Sequence, residues 1–574
     1  MFRYLLIIFF AIAAPAMALE VREHIWGFAG EPVPEVFNPL SVLLVNSSET
    51  PFNGEVTLFA TEFTGRVGAK YVETVYLAPH GQRWVQFYPY VDRVSTWMLS
   101  LGEGWGARTD VSIIKLGTPA RVLLSNPDDP FAEESEFKRF SDNLFPPTVS
   151  ATDPLASVLL DHVPRWEPVR RTAFLDWLRR GGTLHLLLGA DGKYPAFSDE
   201  LAVLNISSDR QRIGNGEIIR HAVSRGGVRS EMLGDRLPTA PGVQHNYGNG
   251  FDEGMFQQLA LVTRPKIQWA LIYLLAFAYL AIIGPGHYVW SRKRKSRVTL
   301  AGLLCCVSVF GLAFMYIGRR GYHGVSTGQA IAWARPVGDG RFDVMQWSTA
   351  FVTHGDLYPI QHPGAHNLYA VKEGDRAINA TITSENSGKL IVDIPRNSSR
   401  GYLHRAVLPG DDLHVGVVEW EADGKLNKLV LAPAAGFPKE VVIIWARFGK
   451  RFYQMKLESG QIVLADYKQE EEEFAKHWNV GAMSRMPYES AGEESDSLSI
   501  FKQEISPLIC RITGLTDSPN QSAPSAESLP DDCIELFVAA RSPESFHPTG
   551  KGFEKAEGYV IYDQRIYKTD LSKP

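Results

Sequence analysis

Two apolar segments near the middle of the chain constrain its fold more than any other feature. Ile267–Trp290 and Val298–Ile317 are each long enough to cross a hydrocarbon core about 30 Å thick as a helix. The seven residues between them, Ser291–Arg297, include five arginines and lysines. Because positively charged loops stay in the cytoplasm, this turn is predicted to be cytoplasmic. The segments therefore predict a transmembrane hairpin, with both large flanking regions on the opposite side of the membrane.

The N-terminus independently indicates export. Met1–Ala18 carries one basic residue, Arg3, then an apolar stretch, and it ends in an Ala-Met-Ala cleavage sequence. This pattern is typical of a secretory signal peptide that is removed before Leu19, and an uncleaved anchor is the alternative.

The outer flanks of the hairpin also carry basic residues, namely Arg264, Lys266, Arg319 and Arg320. Five basic residues in the turn outnumber two on each flank, so the predicted orientation stays the same. Together with the signal peptide, the hairpin predicts a protein of the bacterial inner membrane with both large regions in the periplasm.

Composition narrows the classes of partner. The 574 residues have a formal net charge of −6 and no basic stripe outside the membrane turn, so nucleic acid is not an expected partner. Membrane lipid and other envelope proteins are the expected ones, and no cofactor is expected.

The four cysteines fall into two pairs. Cys305 and Cys306 are adjacent in the second apolar segment, where small residues pack against a neighbouring helix. Cys510 and Cys533 are the two cysteines of the regions predicted to be exported, and an oxidising compartment favours a disulfide between them. Such a bond would close a 24-residue loop and stabilise the fold by about 3 kcal/mol. Two reduced thiols are the alternative.

Strand and turn patterns predict a multidomain α+β protein. Residues 19–117 contain short β-branched and aromatic runs such as Ser41–Asn46 and Gly54–Ala60, separated by turn residues, which favours an immunoglobulin-like β-sandwich. Residues 319–574, after the hairpin, are again rich in strands and turns, and they predict a periplasmic β-rich region.

Residues 118–250 alternate between strand and helix. Arg121–Ser125 and Thr183–Leu188 have the continuous apolar pattern of buried parallel strands. Glu167–Arg180 has the spacing of an amphipathic helix, and Pro130–Asn143 is predicted to form another helix. The alternation predicts a small doubly wound α/β domain.

Part of this α/β region is similar to a known fold. The helix end Trp177-Leu178-Arg179-Arg180-Gly181-Gly182, followed by the buried strand and Gly189, resembles the class I glutamine amidotransferase-like fold. Catalytic members of that family use a cysteine nucleophile on a sharp turn after a strand. Residues 118–223 contain no cysteine and no Gly-x-Ser-x-Gly turn. The resemblance therefore implies an inactive copy.

The whole chain resembles bacterial envelope membrane proteins with this order of segments. Gly284-Pro285-Gly286-His287-Tyr288 is similar to the Gly-Pro-x-x-Tyr pattern at the end of the first span of such proteins. Pro285 removes a helix hydrogen bond, which predicts a kink. Tyr288 and Trp290 are expected to lie at headgroup depth, and His287 is expected there too, with a proton relay as the alternative.

Two aspartates are candidates for ligand contact. Asp191 and Asp199 flank the turn that follows the buried strand Thr183–Leu188. Ligands of open α/β sheets bind at the carboxyl ends of the strands, which is where this turn should lie. Ordinary turn chemistry is the alternative for both side chains.

Other motifs are weaker. His354, His362 and His366 cluster in a predicted loop and could bind zinc, although an intervening Pro-Gly prevents helical spacing, and solvated loop histidines are the alternative. Ser499-x-x-Lys502 matches a serine-acylase motif without the accompanying Lys-Thr-Gly, which indicates a chance match. No catalytic residue is predicted.

These features together predict a membrane-anchored, periplasm-facing interaction or scaffold protein that is not an enzyme. One alternative is an accessory subunit of a transport or export complex, with a transporter or an ATPase as its partner. Another is a hydrolase of envelope glycan or peptide, which would need a pocket of carboxylates or a nucleophile.

Overall fold

The computed structural model of the protein describes a strand-rich, multidomain body and two apolar helices. The described residues are 19–61, 67–102, 108–127, 136–233, 251–263, 269–292, 295–321, 326–371, 378–384, 387–470, 474, 505, 508–509, 512–513, 529–530, 532–549, 553 and 555–568. The predicted signal peptide and the Ser499-x-x-Lys502 motif lie outside the described residues.

The first described region consists of short strands separated by turns, as the sequence pattern predicts. They are β1 (Leu19–Trp26), β2 (Val36–Phe37), β3 (Leu40–Asn46), β4 (Phe52–Thr61), β5 (Val67–Leu77), β6 (Gln82–Phe87), β7 (Tyr90–Val91), β8 (Thr96–Leu101) and β9 (Arg108–Asp110). The order β1-β3-β6 forms one antiparallel sheet, and β5-β4-β8-β9 belongs to a second. Alternate apolar residues such as Val42 and Leu58 are buried in the core that the two sheets share.

Residues 120–233 form a mostly parallel sheet, in agreement with the predicted α/β region. Its elements are β10 (Ala120–Ser125), β11 (Lys138–Ser141), β12 (Leu155–Leu160), α1 (Pro168–Arg180), β13 (Thr183–Leu188), β14 (Arg210–Ile213), β15 (Gly216–Ser224) and α2 (Ser230–Leu233). The strand order is β11-β10-β12-β13-β15-β14, with only β14 antiparallel. Pro168 begins α1, and Gly181, whose φ is 134°, ends it.

One predicted helix in this region is a strand. Pro130–Asn143 was expected to be helical, but Lys138–Ser141 pairs with β10 in parallel. Phe140 is buried as part of that strand, in the same apolar cluster as Phe174 of α1. The apolar side chains that suggest one face of a helix therefore fill the core from the edge of a sheet.

A run of helices follows: α3 (Phe251–Thr263), α4 (Trp269–Ala281), a π-helical turn (Ile282–Gly286), α5 (His287–Ser291) and α6 (Ser296–Gly321). Two 22-residue segments, Ala270–Ser291 and Ser296–Ile317, are long and apolar enough to span a membrane. They contact each other through Tyr279 and Phe310, whose ring centroids are 5.2 Å apart. The Trp290 ring lies where a side chain on Gly302 would otherwise be.

The π-helical turn coincides with the predicted kink, since it contains Pro285. A proline lacks the N–H needed for the usual helix hydrogen bond, and a wider turn accommodates this loss. Beyond it, the Arg292 guanidinium donates to the Tyr288 hydroxyl at 2.8 Å.

The strands after the hairpin form most of the body. They are β16 (Thr327–Gly338), β17 (Arg341–Val352), β18 (Asp356–Ile360), β19 (Leu368–Val371), β20 (Ala380–Thr383), β21 (Lys389–Ile394), β22 (Ser398–Pro409), β23 (Val415–Ala422), β24 (Leu426–Pro433), β25 (Val441–Phe448), β26 (Arg451–Glu458), β27 (Gln461–Glu470), β28 (Cys533–Arg541) and β29 (Lys555–Tyr567). A large sheet has the order β19-β22-β17-β16-β29-β28-β25-β26-β27-β24-β23.

The regions before and after the hairpin share a sheet. The second sheet of the first region continues as β18-β21-β20-β5-β4-β8-β9. In it, Thr381–Thr383 of β20 pair in parallel with Lys70–Val72 of β5. The sheet is thus not confined to the limits 19–117 that the sequence predicts, because strands far apart in sequence complete it.

Helix α3 lies on the large sheet and runs along β17. Phe251 packs edge-on against Trp347, with ring centroids 5.5 Å apart. Phe256 packs on Gly401, which pairs with Thr349, two residues further along β17. Helix α3 therefore runs toward the end of β17, which is paired with the beginning of β16. The end of α3 and the beginning of β16, which flank the hairpin in the sequence, therefore lie at the same end of the large sheet's strands.

Candidate functional site

The carboxyl ends of the parallel strands form the candidate site. Strands β10 and β12 are neighbours, and the chain extends the sheet through β11 on one side of them and through β13 on the other. Open α/β sheets bind ligands in the crevice beyond such a switch point. Asp161 and His162 follow β12 directly at that position.

Four side chains form a charged cluster here. His162 Nδ1 donates to Asp161 Oδ1 at 3.1 Å, and His162 Nε2 donates to Asp142 Oδ2 at 3.2 Å. Arg225, just after β15, donates from Nε to Asp161 Oδ2 at 2.5 Å. The indole of Trp166 donates to the backbone oxygen of Asp142 at 2.7 Å and closes one side of the cluster.

Both the burial and the hydrogen bonds of this cluster affect its titration. Burial lowers the pKa of His162, but the hydrogen bonds to Asp142 and Asp161 outweigh it and raise that pKa to about 9. For Asp161, burial raises the pKa, and the hydrogen bonds from His162 and Arg225 bring it below its usual value. At neutral pH, the His162 imidazolium therefore faces the Asp161 carboxylate, which Arg225 also contacts.

This arrangement leaves little capacity for catalysis. Both ring nitrogens of His162 are engaged by carboxylates, so the imidazolium has no free nitrogen with which to accept a proton from a substrate. Within the cluster, Asp142 Oδ1 is a buried oxygen with no hydrogen-bond partner among the described residues. The cluster is an ionic network that holds the ends of β12 and β15 together.

Asp191, one of the two predicted ligand contacts, borders this cluster. It is exposed, and its Oδ1 accepts a hydrogen bond from the backbone nitrogen two residues later at 3.0 Å. The turn lies close to β12, since a Cβ atom on Gly189 would be 3.1 Å from the Asp161 backbone oxygen. The structure thus gives Asp191 a turn-forming contact at the rim of the crevice.

Asp199, the other predicted contact, is engaged elsewhere. Its carboxylate pairs with Arg171 of α1 at 3.3 Å, and Glu200 pairs with the same guanidinium at 2.9 Å. This exposed ion pair connects α1 to the short 3₁₀ helix Asp199–Leu204. The structure brings only Asp191 of the two aspartates to the edge of the charged cluster.

The three histidines considered as metal ligands have different surroundings. His362 is buried and stacks on His404 with ring centroids 3.7 Å apart, and burial lowers the pKa of His362 to about 3. His354 Nδ1 lies 3.0 Å from the Thr353 hydroxyl, and His366 is exposed. In the part of the chain that the structure describes, no group of three or more His, Cys, Asp or Glu residues could hold a metal ion. The geometry therefore does not support the zinc hypothesis.

The structure describes only one partner of the predicted disulfide between Cys510 and Cys533. Cys533 is a free thiol that is completely buried with Leu529 and Tyr567, and its Sγ lies 3.5 Å from the Ile534 backbone oxygen. Burial raises the pKa of the Cys533 thiol to about 12. In the structure, the Cys533 side chain is packed among its neighbours and forms no covalent bond with them. Cys510 lies outside the described residues.

A second ionic cluster joins the α/β region to the large sheet. Asp343 of β17 accepts hydrogen bonds from Arg180 of α1 at 2.6 Å, from Arg335 of β16 at 3.0 Å and from Arg405 of β22 at 2.6 Å. Asp153, just before β12, pairs with the same three guanidinium groups. Burial raises the pKa of Asp343, but the three arginines together hold it well below its usual value.

The start of α3 is fixed to the body by a buried carboxylate. Asp252 accepts hydrogen bonds from the Tyr90 hydroxyl at 2.6 Å and from the Trp347 indole at 2.8 Å. Tyr90 precedes the hairpin in the sequence, and Trp347 follows it. The next turns of α3 bury three apolar side chains against the sheet, namely Met255, Phe256 and Leu259. Helix α3, which precedes the apolar hairpin in the chain, is therefore an integral part of the body.

Sequence reasoning missed the charged cluster at His162. The available signal was an Asp-His pair directly after a buried strand, at the position where ligands of α/β folds bind. The partners Asp142 and Arg225 carried no comparable signal, since they lie 20 and 63 residues away from His162 in the chain.

Comparisons with known proteins add little. No protein-family model and no curated protein match this chain. A Paenibacillus cycloisomaltooligosaccharide glucanotransferase is similar at 13% identity and a TM-score of 0.15, over 24% of this chain and 20% of that one. An M1 zinc metallopeptidase from Deinococcus radiodurans has 10% identity and a TM-score of 0.12, over 24% and 37%. A β-D-mannosidase from Dictyoglomus thermophilum has 8% identity and a TM-score of 0.14, over 78% and 75%.

The chain thus spans well under half the length of the first two structures. Similarities at these TM-scores carry no argument about activity.

Proposed function

We propose that this protein is a membrane-anchored interaction or scaffold protein of the bacterial envelope, with its body on the periplasmic side of the inner membrane. One observation carries the proposal: segments from before and after the apolar hairpin fold into the same sheets and the same buried clusters. The hairpin is then an anchor inserted into a single body, rather than a divider between two separate domains.

Shared sheets support the same side of the membrane for both flanking regions. The pairing of β20 with β5 and the salt bridges of Asp343 cannot form across a bilayer. The end of α3 and the beginning of β16 lie at the same end of the large sheet's strands. This supports the same conclusion, because both proposed membrane helices can then lie side by side. Together with a cytoplasmic basic turn, this supports a periplasmic position for the body.

Binding is favoured over catalysis by the state of the polar groups. At the carboxyl edge of the parallel sheet, His162 is held between two carboxylates, and Arg225 neutralises one of them. In the described part of the chain, this edge offers no activated nucleophile. The function we infer is thus recognition by the body's surface, with the hairpin keeping that surface at the membrane.

The topology is tested by labelling single introduced cysteines with a membrane-impermeant maleimide. Glu49 and Glu440 are exposed residues from before and after the hairpin, with side chains 91% and 78% exposed. In cells with a permeabilised outer membrane, Glu49→Cys and Glu440→Cys should both label, and Lys295→Cys should label only after lysis. The parent chain, with its own cysteines, is the background control. Protection of Glu440→Cys in intact cells would contradict the hairpin.

The interaction role is tested by purifying the tagged full-length protein from native membranes after cross-linking and identifying the captured proteins. We expect a reproducible envelope partner that is lost when exposed body residues are changed. The matched control is a fusion that carries the hairpin without the body. If the purified protein instead hydrolyses amides, esters or glycosides, and Asp191→Asn removes that turnover, the non-catalytic proposal is wrong.

A further inference from the structure

Two histidine rings stack on one face of the large sheet, where the edge strand β19 pairs with β22. His404 of β22 is completely buried and lies directly opposite Tyr369 of β19. His362, from the segment between β18 and β19, is also buried. The centroids of its ring and the His404 ring are 3.7 Å apart, and the two planes differ by 10°. We call these two rings the histidine stack and residues 361–367 the histidine loop.

Hydrogen bonds connect the histidine loop to the strands through these rings. The side-chain amide of Asn367 donates to three backbone oxygens, including that of His362 at 3.2 Å. This orientation leaves Asn367 Oδ1 as an acceptor, and His404 Nε2 donates to it at 2.8 Å. The Tyr369 hydroxyl accepts a hydrogen bond from the His362 backbone nitrogen at 2.9 Å. The closed position of the loop therefore depends on the surroundings of both imidazoles.

The same contacts are those of neutral imidazoles. The Tyr369 hydroxyl lies 3.1 Å from His362 Nδ1 and donates its hydrogen to that nitrogen. The ring hydrogen of His362 is then on Nε2, which is buried and has no hydrogen-bond partner among the described residues. His404 donates through Nε2, and its Nδ1 faces the side-chain amide of Gln346 at 3.3 Å. An added proton on either ring would have no carboxylate beside it.

The face of the sheet that bears the histidine stack carries no charge that could balance such a proton, within the described part of the chain. Burial raises the pKa of Tyr369 and of Tyr402, so both hydroxyls are neutral at neutral pH. Arg405 follows His404 in β22, so its side chain lies on the opposite face, where it pairs with Asp343. A charged imidazole would therefore be buried among neutral groups.

Two further histidines lie near the stack, and neither favours its protonation. His366 of the histidine loop is exposed. Burial lowers the pKa of His362 to about 3, and the nearby His547 contributes to that decrease. Burial also holds the pKa of His404 well below its usual value, with a contribution from His362. The acidic residues that act on His547 are Glu544 and Glu557.

The histidine loop joins the outermost strands of two sheets. It connects β18, an edge strand of the seven-stranded sheet, to β19, an edge strand of the large sheet. Strand β19 has four residues and pairs with β22 alone. A short strand with a partner on one side is easier to detach than one inside a sheet, because fewer contacts must break.

We propose that the histidine stack is an acid-sensitive latch, in which proton uptake releases the histidine loop and β19 from β22 while the rest of the large sheet stays folded. The direction follows from linkage. Because the closed state holds both pKa values below the ordinary value of 6.5, it is fully stable above pH 6.5 and loses stability as the pH falls below that value.

The test is hydrogen–deuterium exchange of the full-length protein in detergent at about pH 7 and about pH 4.5, corrected for the intrinsic exchange rate at each pH. Protection of residues 361–371 should fall about one hundredfold, the factor for one proton taken up over two pH units below 6.5. Residues 415–433, which form β23 and β24 at the other edge of the same sheet, are the internal reference and should keep their protection.

Two variants identify the group that takes up the proton. His404→Gln keeps an amide that can donate to Asn367, and it should decrease the acid-induced loss at 361–371 to less than about tenfold. His414→Gln removes an exposed histidine of the same region and should leave the loss as in the parent. An equal loss in His404→Gln and the parent would overturn the latch. In the parent alone, no loss at 361–371, or an equal loss at 415–433, would also overturn it, so the result does not depend on whether the variant folds.

Discussion

At the scale of single residues, position in the fold determines how each ionisable group behaves. His162 and His362 have the same side chain, yet the pKa of His162 is raised to about 9 and that of His362 is lowered to about 3. Burial acts on both in the same direction. The difference arises because His162 has two carboxylate partners, whereas His362 is buried against neutral rings and next to His404.

The raised pKa of His162 predicts a pH-dependent contribution to stability. Because the folded value of about 9 exceeds the ordinary value of 6.5, the stabilisation is fully present below pH 6.5 and is lost as the pH rises through 9. His162→Gln should therefore lower the free energy of unfolding by about 2 kcal/mol at pH 6, and by progressively less toward pH 9.5.

Thermal or denaturant unfolding in detergent across this pH range measures the effect. His414→Gln is the matched control, because His414 also pairs with an aspartate but its side chain is 84% exposed. That variant should remain within about 0.5 kcal/mol of the parent. A difference for His162→Gln that stays constant between pH 6 and 9.5 would contradict the assignment of a protonated imidazole.

At the scale of elements, α3 is the helix that packs on the body directly before the apolar hairpin in the chain. It combines a buried carboxylate at its start with an apolar face on the large sheet. A glycine in β22 makes the close approach possible: a Cβ atom on Gly401 would be 2.5 Å from the Phe256 ring. The helix and the sheet are therefore complementary at one specific point.

Gly401→Ala should push α3 away from the sheet. Overpacking of this kind costs about 1–3 kcal/mol, so we expect a lower melting temperature and faster proteolysis after residue 263. Gly416→Ala in β23 is the matched control, because its nearest atom would be 3.9 Å from the new Cβ, and it should change neither property. Equal melting temperatures for Gly401→Ala and the parent would show that α3 is not tightly packed.

At the scale of the whole molecule, the Asp343 cluster connects the α/β region to three strands of the large sheet. Its arginines come from α1, β16 and β22, and its carboxylates come from β17 and the segment before β12. Removal of one member leaves buried like charges facing each other. The cluster should therefore couple the unfolding of the α/β region to that of the large sheet.

Asp343→Ala should destabilise the protein by about 3–5 kcal/mol, because three buried guanidinium groups then share one carboxylate. Differential scanning calorimetry should show that this variant melts at a lower temperature. Glu419→Gln, which breaks the exposed Lys428–Glu419 pair, should leave the melting temperature almost unchanged. If the α/β region alone shifts while the large sheet melts as in the parent, the cluster does not couple the two regions.

The sequence by itself determined the local features: two apolar helices, the irregularity at Pro285, short strands between turns, and the helix that ends at Gly181. Each depends on hydrophobic periodicity or on the backbone preferences of proline and glycine, which act over a few residues. Tertiary structure alone decided which strands share a sheet, that Lys138–Ser141 is a strand, that Cys533 is a buried free thiol, and that Asp142 and Arg225 meet at His162. These outcomes depend on contacts between segments tens to hundreds of residues apart, where burial and charge pairing outweigh local preference.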